Sequence, residues 1–225
     1  TMGGFRVVLG EEALRFTGKP QKKPLELLKA LVAQGEARPP AHSLAQLLWP
    51  DAEGSALKKT LEITLHRLRK LLGGDDAVLL REGRLVLNPE RCWIDVWAFE
   101  HLVDRALDAL RAPIPDPAGI ERDAGHALRL YAGAFLAAEE ESSWLLPARD
   151  RARSRFHRLV ADYGGFIERA GLWDAAADLY RHGLEQDNLN EFLYPRLIHC
   201  LQRRDRHAYA VSADGQRMLV ATSGR

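Results

Sequence analysis

The sequence predicts a mainly α fold with a small share of β, organised in two parts, and three observations predict it. β-prone runs are confined to roughly the first ninety residues, where they flank three helix-forming stretches. From about Asp95 onward, apolar residues recur at the helical period of 3.6 with few interruptions. Lysine changes at the same place: all seven lysines lie in the first 70 residues, and the later cations are arginines. A boundary is therefore expected near residues 95–100, dividing the chain into 4–98 and 99–225.

Taken in order, residues 5–9 and 13–17 are β-prone runs separated by Gly10-Glu11-Glu12, a hairpin signal. Pro24 suits the first turn of a helix, where its missing N–H is no loss. Leu25, Leu27, Leu28, Leu31 and Val32 follow at helical spacing until Gly35 stops them. Arg38-Pro39-Pro40 predicts a loop. Ser43 is placed to cap a short helix, Leu44 to Trp49, which Pro50 ends. Residues 51–54 then turn into a long helix, Ser55 to Leu72, stopped by Gly73-Gly74. Val78-Leu79-Leu80 and Arg84-Leu85-Val86-Leu87 flank Glu82-Gly83 as a small hairpin. Three helices closed by a β-hairpin is the plan of a winged helix-turn-helix.

In the second part, helices are expected over 96–110, 124–136, 148–170, 173–186, 190–203 and 206–221. Gly164, Ala176, Tyr180 and Gly183 stand at separations of 12, 4 and 3. That is the small, small, aromatic, small pattern of a 34-residue helix–turn–helix repeat. A shift of 34 pairs Leu159 with Leu193 and Ala176 with Ala210. The expectation is an all-α tetratricopeptide-like domain with one well-formed and one degenerate unit. A plain antiparallel bundle is the alternative.

Length and composition exclude several classes. The 225 residues are 46% hydrophobic and 28% charged, which permits a sizeable core and excludes a disordered tail or a fibre. No apolar run approaches the ~18 residues of a spanning helix. Thr1-Met2-Gly3-Gly4 lacks the order of a signal peptide and reads as a linker end. Two distant cysteines, Cys92 and Cys200, fit a reducing cytoplasm without disulfides. Glycine-rich phosphate loops, Gly-x-Ser-x-Gly and His-Glu-x-x-His are missing, so no catalysis, metal or cofactor is expected. Trp49, Trp93, Trp97, Trp144 and Trp173 are expected as packing anchors. An arginine row, Arg149, Arg151, Arg153, Arg155 and Arg158, suits either a polyanion or a helix face paired with nearby carboxylates, and the second reading is favoured.

Net charge is +1, distributed as +3 over residues 1–98 and −2 over 99–225. The bias is modest, and it suits solvated surface as well as a polyanion partner. The long helix says more. At 100° per residue, Leu57, Leu61, Leu65, Leu68 and Leu72 gather on one stripe, with Thr64 and Leu71 at its margin. The opposite face carries Lys59, Glu62, Ile63, His66 and Lys70, with Lys58, Arg67 and Arg69 on the flanks. Cations neutralise phosphates and fork onto guanine, a carboxylate accepts from cytosine, and an apolar group touches a thymine methyl. Lys58, Lys59, Thr60 and Arg67 are therefore the candidates for phosphate or base-edge contacts. Glu62, Ile63 and His66 are candidates for readout; Lys70, Arg81 and Arg84, the last two at the hairpin tip, for the backbone. A solvated face with one stray isoleucine is the plainer alternative.

Leu47-Leu48-Trp49-Pro50-Asp51, Ala56, Thr60-Leu61 and Arg67-Leu68-Arg69-Lys70-Leu71-Leu72-Gly73 together resemble the winged helix of SARP-type transcription activators, the antibiotic regulatory protein family. In the second part, Ile94-Asp95-Val96 with Phe99-Glu100, Leu130-Tyr131 with Gly133 and Phe135-Leu136, Trp144-Leu145 with Arg149, and Glu168-Arg169-Ala170-Gly171 with Leu179-Tyr180-Arg181 resemble that family's bacterial transcriptional activation domain. The resemblance implies a cytoplasmic, nucleoid-associated regulator, in type an activator, that binds double-stranded DNA at promoter repeats. It implies side-by-side protomers forming a homodimer on DNA, and a helical domain for assembly, regulation or contact with RNA polymerase. The turn before the reading helix, with Asp51, Glu53 and Ser55, is the implied polymerase contact. Relative to the family the chain is expected to be incomplete at its C-terminal side. Lys58 and Lys59 stand where the family often has a basic residue and asparagine, so readout of adenine by asparagine is not expected there. The alternative function is a protein-interaction or sensory module whose winged helix no longer binds DNA.

Overall fold

A computed structural model describes residues 1–14 and 21–214, with side chains throughout except at 36 and within 205–214. The chain divides into two compact units, Thr1–Leu102 with His126–Ser154, and Val103–Gly125 with Arg155–Arg225. The described residues are mostly helical.

The first unit opens with a two-stranded hairpin, β1 (Val8–Leu9) and β2 (Glu12–Ala13). Both strands are shorter than the β-prone runs, and residues 15–17 lie outside the described residues. Three helices follow, α1 (Lys22–Ala33), α2 (Ala41–Leu48) and α3 (Gly54–Leu71), then an antiparallel hairpin of β3 (Val78–Arg81) and β4 (Arg84–Leu87). α1 packs on α2, α3 and β4, and α2 packs on α3. Leu27, Leu44, Leu57, Leu68 and Leu85 are fully buried at this junction. Pro24 sits buried in the first turn of α1, as expected.

Three sequence expectations are corrected here. α2 starts at Ala41 with Pro40 at its N-cap, so Ser43 lies inside the helix and caps nothing. The orphan donor is met elsewhere: the Ala41 N–H donates to the Gly83 carbonyl at 2.8 Å, and Leu85 N–H donates to the Pro39 carbonyl at 3.2 Å. The Pro-Pro run thus lies along the edge of β4 rather than in a free loop. Residues 1–4 are also no linker end. Met2 is buried and bridges to Phe135, and Gly3 N–H donates to the Ala134 carbonyl at 3.1 Å.

The remaining helices are α4 (Asp95–Arg111), α5 (Pro117–Leu130), α6 (Leu146–Arg169), α7 (Trp173–Gln186) and α8 (Leu193–Asp214). α5 begins seven residues before the expected 124, because Pro117 is preorganised for the first helical position and the Ile120 N–H closes the turn on the Asp116 carbonyl. The two helices expected at 190–203 and 206–221 are one helix through Asp214. No glycine or proline interrupts residues 196–214. Residues 215–221 lie outside the described residues.

Within the first unit, the C-terminal end of α1 is capped by side chains distant in sequence. Trp97 Nε1–H donates to the Val32 carbonyl at 3.0 Å. Arg151 donates to the Ala33 carbonyl at 2.9 Å and to Glu100 at 2.8 Å. Lys29 of α1 forms an ion pair with Glu139. Arg149 gathers three carbonyls, those of Phe135, Leu136 and Glu139, at 2.9, 2.6 and 2.9 Å.

In the second unit, Asp123 is buried and paired with Arg105 and Arg122 at 2.8 and 3.1 Å. Gly164 lies against Tyr180 so closely that a Cβ would overlap the phenol. A Cβ on Gly183 would stand 2.7 Å from Leu193. Two of the small residues singled out by their spacing, Gly164 and Gly183, are points of close helix contact. The Tyr180 hydroxyl donates to Glu168 at 2.6 Å, and Arg196 contacts the same carboxylate at 3.3 Å. Burial and the hydrogen bond to Glu168 push the Tyr180 hydroxyl well above its usual range. Burial, reinforced by the Glu168 charge, pushes the Cys200 thiol up to about 11.

Candidate nucleic-acid interface

α3 is an amphipathic helix with a sharply defined end. Glu53 is extended at its N-cap, and the Leu57 N–H bonds to the Glu53 carbonyl at 3.3 Å. At the other end Gly73 takes φ +84, and the Gly74 N–H returns to the Arg69 carbonyl at 3.0 Å. That is the six-to-one bond of a Schellman cap, which needs glycine at the left-handed position. Arg69 and Lys70 fall in the last turn, where cations complement the helix dipole.

The buried face consists of Leu57, Thr64, Leu65 and Leu68. It differs from the expected stripe in detail: Leu61 and Leu72 are only partly covered, and Thr64 is buried. The opposite face is as read. Lys58, Lys59, Glu62, Ile63, His66, Arg67 and Lys70 are all exposed, and Thr60 is half-buried beside them. Ile63 is 43% exposed, a large apolar group in the middle of a charged face. From Lys59 to Lys70 the face runs about 16 Å along the axis. None of the five basic side chains in it (Lys58, Lys59, His66, Arg67, Lys70) has a hydrogen-bond or ion-pair partner among the described residues. Arg69 is different. Its Nε–H donates to the Val78 carbonyl at 2.8 Å, pinning α3 to the hairpin.

The hairpin turns at Glu82 and Gly83, with φ of +51 and +72. Two successive positive φ values define the tight turn whose twist suits a two-residue hairpin. Arg81 and Arg84 pair across its mouth, both exposed. Arg84 also donates to the Arg38 carbonyl at 2.8 Å. Arg38 itself is left-handed, with φ +45. Beside the hairpin lies a hollow of about 410 Å³, floored by Leu79 and Val86 and rimmed by Arg38, Arg81, Glu82, Arg84, Asn88 and Glu90.

Sequence reasoning missed Arg38 as part of this surface. Its signal was the Pro39-Pro40 run, whose extended backbone brings Arg38 to the edge of β4. Asp51 and Glu53 are exposed in the turn between α2 and α3, whereas Ser55 falls in the first turn of α3 rather than in that turn. Trp93, expected as a packing anchor, is 73% exposed. The other four tryptophans are partly covered; Trp49 takes Lys23 over its ring at 5.6 Å. The arginine row of α6 is largely consumed by structure, through Arg149 and Arg151 in the first unit, and Arg155 with Asp104 and Arg158 with Asp162 in the second.

Among the described residues no helix is long and apolar enough to cross a membrane. No curated protein matches the chain. A solved structure, Mycobacterium tuberculosis EmbR in complex with a low affinity phosphopeptide, aligns with a TM-score of 0.66 at 19% sequence identity. The alignment covers 93% of this chain and 55% of that one, so the chain spans about half the length of that protein. At this identity the likeness is one of fold. The bacterial transcriptional activator domain matches residues 94–215, more than half of the sequence. By that match the chain belongs to the bacterial transcriptional activator domain family, as its SARP-type resemblance implied.

Proposed function

We propose that the chain is a sequence-specific DNA-binding transcriptional regulator, in type an activator, acting in the cytoplasm on promoter repeats. Residues 4–98 form its winged-helix reading head, and 99–225 a tetratricopeptide-like domain for assembly, regulation or polymerase contact. α3 enters the major groove, and the β3–β4 wing reaches the adjacent backbone or groove. Lys58, Lys59, Thr60 and Arg67 meet phosphates or base edges. Glu62, Ile63 and His66 read bases, while Lys70, Arg81 and Arg84 hold the backbone. Asp51, Glu53 and Ser55 offer a contact to RNA polymerase.

The observation that supports this reading is the state of the cations on α3. Among the described residues, Lys58, Lys59, His66, Arg67 and Lys70 have no ion-pair partner, and they share one exposed helix face with an exposed isoleucine. Family membership makes a regulator the natural host for such a face.

The test is selection of bound duplexes from a random-sequence library at physiological salt. The expected result is an enriched half-site, recurring at about one helical turn, ~10–11 bp. Recovery of unenriched DNA, or none, would reduce the wing and α3 to a scaffold. The protein-interaction reading would then lead, with the exposed Phe192, Tyr194 and Ile198 near the start of α8 as its first surface to mutate.

A further inference from the structure

The second unit carries a face on which guanidinium groups and aromatic rings alternate. Phe192, just before α8, and Arg196, His199 and Arg203 along it follow at separations of four, three and four, so they form one stripe. The Arg196 guanidinium lies 5.3 Å from the centre of the Phe192 ring, and that of Arg203 lies 5.6 Å from the centre of the Trp173 ring. Trp173, at the start of α7, meets the His199 ring edge-on at 5.8 Å. α6 adds a further arginine to the stripe. A Cβ on Gly165 would stand 3.3 Å from Arg196 Nη2 and 3.5 Å from Arg169 Nη1, so two guanidinium groups converge over one bare glycine. Glu168 compensates Arg196, at 3.3 Å. Arg169 and Arg203, both exposed, meet no carboxylate among the described residues.

We infer that this face binds an extended acidic segment of a partner protein, with one carboxylate at Arg169 beside Arg196, a second at Arg203, and an apolar side chain on Phe192. The inference rests on the partner role proposed for the helical domain and deepens it by naming the chemistry of the partner. Charge complementarity selects the occupant. Two uncompensated cations call for two anions, and a guanidinium held over a ring keeps its in-plane N–H donors for a carboxylate fork. A duplex fits less well. It carries a charge about every 1.7 Å, whereas residues 99–225 have a net charge of −2 and this face has two free cations. Phe192 is 57% exposed, ready for an apolar neighbour. Spacing sets the register. Arg203 lies about 10 Å along α8 from Arg196, and Phe192 about 6 Å beyond Arg196 on the other side. An extended chain rises about 3.3 Å per residue. The two acids are therefore expected about three residues apart, with the apolar residue about two residues outside the first.

The test is selection from a library of short random peptides on the full chain, without DNA. The enriched peptide is then synthesised, labelled and titrated by fluorescence anisotropy. The expected peptide carries two acids and an apolar residue in that register. R169A and R203A should each weaken it about threefold to fivefold, the scale of one exposed charge pair, and R169A/R203A about tenfold or more. R181A removes an equal charge from the exposed side of α7 and should leave the affinity unchanged. R203E should recover affinity for a peptide whose matching acid is replaced by lysine, which a merely unfolded variant would not do. Enriched peptides without acids, or acidic ones that bind R169A/R203A as tightly as wild type, would overturn the site and leave the helical domain to meet partners elsewhere. No enriched peptide at all would overturn the partner role together with the site. If R169A/R203A lost affinity for a duplex of unselected sequence and not for the peptide, the face would be a nucleic-acid surface and the inference would fall. The reading of α3 stands or falls separately, by duplex selection.

Discussion

α3 and α6 look alike in sequence and do opposite work. Each carries a dense row of basic residues on a long helix. On α6, Arg149 holds three carbonyls, Arg151 bridges Glu100 and the end of α1, Arg155 meets Asp104 and Arg158 meets Asp162. Among the described residues, Arg69 is the one α3 cation engaged, while Lys58, Lys59, His66, Arg67 and Lys70 have no hydrogen-bond or ion-pair partner. The difference teaches that density of positive charge does not by itself separate structural cations from free ones. What separates them is whether the fold supplies each cation with an acceptor or a carboxylate. A guanidinium that already satisfies buried carbonyls is a structural clamp, since withdrawing it strands acceptors away from water.

The largest effect that would sharpen this contrast is at Arg149. R149A should cost about 2–4 kcal/mol in urea unfolding, because charged hydrogen bonds to three carbonyls are lost together. R149K should recover little, since an ammonium cannot reproduce the guanidinium fork. DNA affinity per folded molecule should be unchanged. The next effect is on α3. K59A/K70A should leave unfolding within about 0.5 kcal/mol of wild type and flatten the dependence of log affinity on log salt by about two units. An unchanged slope removes both lysines from the footprint. I63A should follow, weakening discrimination at one base position by about 1 kcal/mol, measured across all single-base variants of the half-site. Equal affinity for every variant would make Ile63 a stray. The smallest effect is at Arg158, an exposed pair with Asp162 one helical turn away. R158A should change stability by less than about 0.5 kcal/mol; a larger loss would break the division between clamps and surface.

Much of this was legible in the sequence. α7 begins and ends where periodicity placed it, at Trp173 and Gln186, and α3 is displaced by one residue. The β3–β4 hairpin was readable from Glu82-Gly83, because two positive φ values select few residue pairs. The exposed face of α3 followed from spacing alone. What escaped depended on partners far along the chain. Ser43 looked like a cap, yet the helix begins two residues earlier, and the Ala41 N–H there is met by the Gly83 carbonyl, 42 residues on. For the α6 arginines the favoured reading, a paired helix face, holds at Arg151, Arg155 and Arg158; the distant partners Glu100 and Asp104 and the carbonyls of 135–139 taken by Arg149 were not legible. Trp93 carried no sign of its exposure, since a large apolar residue beside β-prone sequence usually packs. Arg38 joined the candidate surface through backbone pairing of Pro39 and Pro40, which side-chain patterns do not record.

The caps on the end of α1 have a consequence for how such a chain can be taken apart. Val32 and Ala33 offer their carbonyls to Trp97 and Arg151, and α1 is the helix against which α3 rests. A piece cut at residue 98 would keep the indole and forfeit the guanidinium, leaving the Ala33 carbonyl bare at the end of α1. The head is therefore no bead on a string to be swapped among relatives. It is closer to a keystone course, whose stones were trimmed to one another, and a graft would have to carry the turn of α6 that holds Arg151 along with it.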